Sequence, residues 1–163
     1  MARTALATKK RRKSKRGPLP IPPTLIPVET VDDMEIHVYK HEGASILSVV
    51  SPLCSISTDS VIPFLENLNV KRPPALKETN LLVLYATEET TAVCRHLGVK
   101  AIPSFFSYHF GELKEFFTGD NMDKFLLLAK RAEEVALARK LELQAQRNAA
   151  EKLAEENNAV TAA

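Results

Sequence analysis

Residues 99–120 read VKAIPSFFSYHFGELKEFFTGD, and this stretch decides the fold. Pro103 opens a run that holds Phe105, Phe106, Tyr108 and Phe110. Aromatic and β-branched side chains favour strands because they pack well on a pleated surface. Gly111 with Glu112 supplies turn chemistry, and residues 113–117 resume the apolar pattern. The pair reads as an antiparallel hairpin. Gly119-Asp120-Asn121 stops the sheet, and Asp120 or Asn121 can cap a following helix by accepting its free N–H groups.

Outward from the hairpin, helices alternate with short apolar runs. SILSVV (45–50) and LLVLY (81–85) read as strands buried on both faces. Residues 28–40 predict a helix capped by Thr30 or Asp32, with Val31, Met34, Val38 and Tyr39 inward and Gly43 ending it. A second helix is expected over 59–69, with Val61, Ile62, Leu65 and Leu68 inward and a kink at Pro63. A third is expected over 88–97, capped by Thr87. From Met122 the pattern is helical, and Phe125, Leu126, Leu128 and Ala129 face the core. No Gly or Pro interrupts it before Asn157, so the helix is expected to pass Leu141 unbroken. Residues 157–163 are expected to fray.

This order of parts resembles the C-terminal half of thioredoxin. The matching residues are Gly98-Val99, Ile102-Pro103, Gly111-Glu112, Gly119 and the helix that carries Phe125 to Leu128. The resemblance covers about 28–131. It implies an α/β fold, a thioredoxin-like three-layer sandwich with a mixed sheet and a cis bond before Pro103. Around it stand a basic, Pro-rich arm (1–27) and a charged helical extension (132–163).

The resemblance also places a site. In the family, a Trp-Cys-Gly-Pro-Cys loop opens a helix whose N-terminus favours a thiolate. Here the corresponding loop is Ser51-Pro52-Leu53-Cys54-Ser55-Ile56-Ser57. Cys54 takes the nucleophile's place and Pro103 stands beside it. Ser57 falls where the resolving cysteine belongs, Leu53 replaces the tryptophan, and Ser48 replaces a buried carboxylate. The loop is one residue longer before Pro63. A serine hydroxyl cannot resolve a mixed disulfide, so a dithiol cycle is excluded. A monothiol protein-disulfide oxidoreductase using Cys54 remains an alternative. Cys94, at helical spacing with Val93 and Leu97, reads as a small core residue.

Two cysteines far apart in 163 residues make no disulfide framework. No run of eighteen apolar residues predicts a membrane span. The net charge of +2 hides an asymmetry. Eight basic residues and no acid precede Gly17, leaving 14 basic against 20 acidic residues, or −6, in the rest. The basic block Lys9, Lys10, Arg11, Arg12, Lys13, Lys15 and Arg16 points to a polyanionic partner, tubulin tails or RNA. It is followed by GPLPIPPTLIP (17–27), which holds five of the ten prolines. Such a strip is extended, with Leu19, Ile21 and Leu25 as apolar teeth expected to bind a partner, the strip running along that partner or along the domain itself. His37 and His41 share a helical face without a third ligand, so neither metal nor cofactor is expected.

Fold alone does not set function, so the appendages carry the functional expectation. It is a non-catalytic docking subunit of a large assembly, with Leu137 and Leu141 meeting protein partners. The layout is similar to the thioredoxin-like light chains of axonemal dyneins, which usually retain Cys-x-x-Cys. That resemblance implies a ciliary, microtubule-associated place; the alternative is an RNA-bound, ribosomal-type subunit. The expected location is cytoplasmic or ciliary, with mitochondrial or nuclear alternatives and no membrane partner.

Overall fold

The computed structural model describes residues 25–71, 76 and 78–161. Five strands form one sheet: β1 (Ile26–Pro27), β2 (Ala44–Val50), β3 (Asn80–Tyr85), β4 (Ser104–His109) and β5 (Glu112–Thr118). Their order across the sheet is β1-β3-β2-β4-β5. The first three are parallel, with Ile26 opposite Leu82 and Leu47 opposite Leu82 from the other side. β4 runs antiparallel to β2, and β5 antiparallel to β4. The sheet is therefore mixed.

Alternation along the strands builds two cores. Ile46, Val50, Leu81, Val83, Phe105 and Phe117 meet α4 (Met122–Thr161) and α2 (Ile62–Val70) through Phe125, Leu128, Leu65 and Leu68. Phe105 stacks on Phe117 with centroids 4.7 Å apart and meets Phe125 edge-on at 5.4 Å. On the other face Leu47, Val49, Leu82, Leu84 and Phe106 meet Met34, Val38 and Val93. These come from α1 (Val31–Met34, continuing as a π-helical turn Glu35–Tyr39) and α3 (Thr91–Leu97). Helices on both faces of one sheet make the three-layer α/β sandwich.

Ile102-Pro103 is cis, as expected. Other local expectations shift. The hairpin turn is Phe110-Gly111, with φ of 53° and 82°, and Glu112 already belongs to β5. Two consecutive positive φ values match the strand twist of a two-residue hairpin. A Cβ at Gly111 would run into the Tyr39 carbonyl, so only glycine fits. The first helix is capped as predicted by Thr30, which accepts the Asp33 N–H while Asp33 accepts the Thr30 N–H. Val31, expected inward, is 37% exposed. The third helix begins at Thr91, not at Glu88. The Thr90 hydroxyl donates to the Tyr85 carbonyl at 2.7 Å and accepts the Thr87 N–H, holding 87–90 as a turn.

Of the two surfaces expected for Leu25, a partner and the domain itself, it takes the domain: it is 5% exposed and belongs to the same buried cluster as Ala132 and Ala136, which corrects its reading as a partner contact. Ile26 and Pro27, assigned to the arm, form the edge strand β1. Proline is tolerated there because an edge strand has one unpaired side.

Asn121 caps α4, its side-chain oxygen accepting the Lys124 N–H at 3.2 Å. The helix runs 40 residues without a break. Its packing on the sheet passes residue 131: Ala132, Glu133 and Ala136 are buried. Glu133 accepts the Glu78 N–H at 2.8 Å and the Thr79 hydroxyl at 2.6 Å. Lys140 pairs with Glu78 at 2.6 Å, and the Arg139 guanidinium lies 5.6 Å from the centre of the Phe110 ring. Every described residue from 144 onward is exposed.

Candidate functional site

The strand β2 delivers the loop 51–54 to the head of a helix that runs over 55–70. This helix starts earlier than the sequence predicts. Its second part is α2, and its first part is a π-helical turn, Ser57–Val61, in which the Ile62 N–H reaches the Ser57 carbonyl. That turn absorbs the extra residue before Pro63. A π turn adds one residue per turn, so the helix keeps its direction and Pro63, which has no N–H to offer, sits in the first turn of α2. The register of Cys54, open in the sequence, is thereby fixed.

Cys54 sits just before the first helical residue. Its N–H donates to the Ser51 carbonyl at 3.2 Å, and its own carbonyl accepts the Thr58 N–H at 3.0 Å. Its thiol lies 3.8 Å from the carbonyl of Ile102, the residue before cis-Pro103. The fold thus joins two segments 48 residues apart in sequence. The thiol pKa is lowered, first by the Ser57 backbone N–H, then by the Ser57 hydroxyl. The Ile56 N–H adds to this, against the cost of desolvation. These donors favour a thiolate over a thiol.

Ser57 is fully buried, and its hydroxyl oxygen also accepts the Ser51 N–H at 3.3 Å. It therefore braces the loop from inside, a role that residue type alone does not reveal. Ser48 is buried in β2 between Val83 and Phe105, so the strand holds no carboxylate at that place. Leu53 stands 95% exposed beside the thiol, and Ile56 is 46% exposed. The arrangement can attack a disulfide or another electrophile once. It lacks a second thiol to release the product, since Cys94 is on α3 and packs with the opposite core cluster.

The other expected site residues do not gather here. Leu137 and Leu141 are 44% and 66% exposed on α4. Lys9, Lys10, Arg11, Arg12, Lys13, Lys15, Arg16, Leu19 and Ile21 lie outside the described residues. His41 and His37 find no third ligand: no group of three His, Cys, Asp or Glu among the described residues could hold a metal ion. No helix among them is long and apolar enough to cross a membrane. An open groove of about 590 Å³ at the far end of the sheet has no signature in residue spacing. It is lined by Glu42, Gly43, Glu78, Lys140, Leu143 and Glu151, among others.

No family model and no curated protein matches the chain. Solved structures do. Malassezia sympodialis thioredoxin (Mala s 13) superposes with a TM-score of 0.59 at 14% identity, covering 72% of this chain and 98% of its own. Spinach chloroplast thioredoxin f, in its short form, gives 0.57 at 20% identity over 68% and 94%. Chlamydomonas reinhardtii thioredoxin f2 gives 0.56 at 16% identity over 66% and 94%. At such identities the likeness concerns architecture: the chain has a thioredoxin-like fold.

Proposed function

We propose that this chain is a docking subunit built on a thioredoxin-like fold, joining protein partners of a larger assembly through its two ends. The observation that supports the reading is the length of α4. Residues 144–161 are exposed throughout, which is about 27 Å of helix that the domain does not use. A helix of this kind gains little from propensity alone and is stabilised by packing on something. Its large apolar residues do not make one stripe. Leu137 and Leu141 share a face, while Leu153 lies about 120° around the axis from Leu141. This suits partners on more than one side better than a two-stranded coiled-coil seam. The basic block 9–16 supplies a second, electrostatic attachment to an acidic surface.

Size-exclusion of tagged chains from their native cells tests this. The full chain and Cys54→Ser should elute in a large assembly. Chains lacking 1–17 or 144–163 should elute smaller. Normal assembly of both truncations, with loss only in Cys54→Ser, would overturn the reading.

A second reading is favoured by one observation, the donor set around Cys54. A thiol of lowered pKa beside Ile102 and Pro103, with Leu53 exposed, is suited to attacking a disulfide of a partner, so that a mixed disulfide forms as the S–S bond breaks and the partner's other sulfur leaves as a thiolate. In this reading the chain holds a partner covalently, as a monothiol, and does not turn over. Insulin reduction with a dithiol donor should stay at background. Robust turnover abolished by Cys54→Ser would replace docking with catalysis.

A further inference from the structure

One face of the sheet is covered unevenly. Phe106 and Tyr108 of β4 are buried there, in one cluster with Met34 and Val38 of the first helix and Val93 of α3. On β5, Phe116 stands opposite Phe106 and Leu113 opposite Tyr108, so both share that face. The Phe106 and Phe116 rings stack with centroids 6.1 Å apart. Yet Phe116 is 65% exposed and Leu113 49%. The cover of the face ends between β4 and β5.

A bulge makes this patch. In a regular strand, residues three apart point to opposite faces. Here the register slips, with Glu115 opposite Ser107 and Leu113 opposite Tyr108, so Lys114 is the extra residue. The slip turns Leu113 to the side of Phe116. The patch borders a groove of about 270 Å³, walled by Leu113, Phe116 and Phe106 and by Leu97 and Ala101 after α3. That volume falls below the roughly 300–1,000 Å³ of sites that enclose a small ligand, and suits side chains of a longer molecule. Among the described residues that line it, Lys100 alone is charged, and it has no ion-pair partner among them.

The groove runs beside an open sheet edge. Among the described residues β5 pairs with β4 alone. Near the hairpin the edge is guarded by the bulge and by Lys114 paired with Glu112 at 2.8 Å. Charges and bulges of this kind discourage a further strand. Residues 116–118, Phe-Phe-Thr, carry no charge. An extended segment binds such an edge by adding a strand, and its alternate side chains then fill a pocket on one face.

We propose that β5 and this groove dock an extended segment of a protein partner. Its backbone lies beside 116–118, its alternate apolar side chains pack on Phe116 and Leu113, and an acidic residue meets Lys100. The surface is separate from the thiol site, since neither Cys54 nor Leu53 lines the groove. It goes beyond the docking reading, which uses the two ends of the chain, so either can fail without the other.

A random-peptide phage library is selected on the full chain, and the enriched peptides are synthesised and titrated by fluorescence polarisation. They should carry bulky apolar residues at alternate positions and an Asp or Glu. Phe116→Ser should weaken their binding about 30-fold, the loss typical of an aromatic anchor. Leu113→Ser should weaken it as well; both side chains are exposed, so the core stays in place. Lys100→Gln should cost about 3-fold at low salt, a difference that fades as salt screens the pair. Cys54→Ser should bind like the wild type. Affinity unchanged in both Phe116→Ser and Leu113→Ser, or lost in Cys54→Ser, would overturn the proposal. So would a failure to enrich any peptide. Light scattering that shows a dimer dissolved by Phe116→Ser would also overturn it, because a second copy would then fill the groove.

Discussion

Two helix ends contrast in how they are held. The N-terminal end at Cys54 is short, and most of its polar groups have a partner. Ser51, Ser57, Thr58 and Ile102 all bond within the loop or across to it. The C-terminal half of α4 is long and, past residue 143, has only helical bonds and exposed side chains. The first is over-determined by the fold; the second is independent of it. The boundary between them, near residue 143, is where the packing of the domain ends. A region fixed by packing reports the architecture, and a region the packing ignores is free to serve something else.

The contrast sharpens if damage is graded from the core outward. Phe105→Ala should be the most destabilising change, by about 3–5 kcal/mol, because a fully buried ring stacked on Phe117 leaves a cavity. Urea unfolding measures it. Next comes Glu133→Ala, expected to cost about 1–3 kcal/mol by the same assay. Glu133 is 4% exposed, and its loss removes the acceptor that ties residues 78 and 79 to α4. A value near zero would mean that the helix is held by its apolar face alone.

Ser57→Ala tests the loop without touching the core packing. The hydroxyl is the second-largest cause of the lowered Cys54 pKa, after the Ser57 N–H, which stays. Iodoacetamide alkylation at pH 7 should slow, and its pH profile should move part-way toward an ordinary thiol near 8.5. An unchanged profile would show that the helix N–H groups act alone. The linkage sign follows from the same shift. A lowered folded pKa stabilises the fold above the unfolded thiol's pKa, and that contribution is lost as pH falls through the lowered value.

Acidification reports on the opposite end. Burial lowers the pKa of His41 and of His109, and the buried Nε2 of each has no hydrogen-bond partner among the described residues. The unfolded chain therefore binds more protons. Stability should be full above about pH 6.5 and decline below it. A thermal midpoint flat between pH 7 and 5 would contradict this. The smallest effect is reserved for removal of 144–163. Unfolding free energy should change by no more than about 0.5 kcal/mol, since exposed residues rarely contribute more. A loss of several kcal/mol would erase the contrast between the two helix ends.

Residue order alone specified what is local and periodic. The buried strands, the hairpin, the caps at Thr30 and Asn121, each one of two candidates, and the unbroken last helix were legible in residue type, spacing and order, and the cis Ile102-Pro103 step followed from the family resemblance. So was the absence of a second thiol in the Cys54 loop. What depends on distant segments emerged from packing. Leu25 looked like a free apolar tooth, because nothing nearby says that β3 lacks a neighbour on that side. The helix head at Ser55 was hidden because a π turn leaves no periodic signature. Ser57 read as a loss, and packing showed it to be a buried brace whose hydroxyl accepts the Ser51 N–H. The physical reason is common to all of these. Propensity and pattern act over a few residues, whereas burial and hydrogen-bond partners are set by which remote segments the sheet brings together.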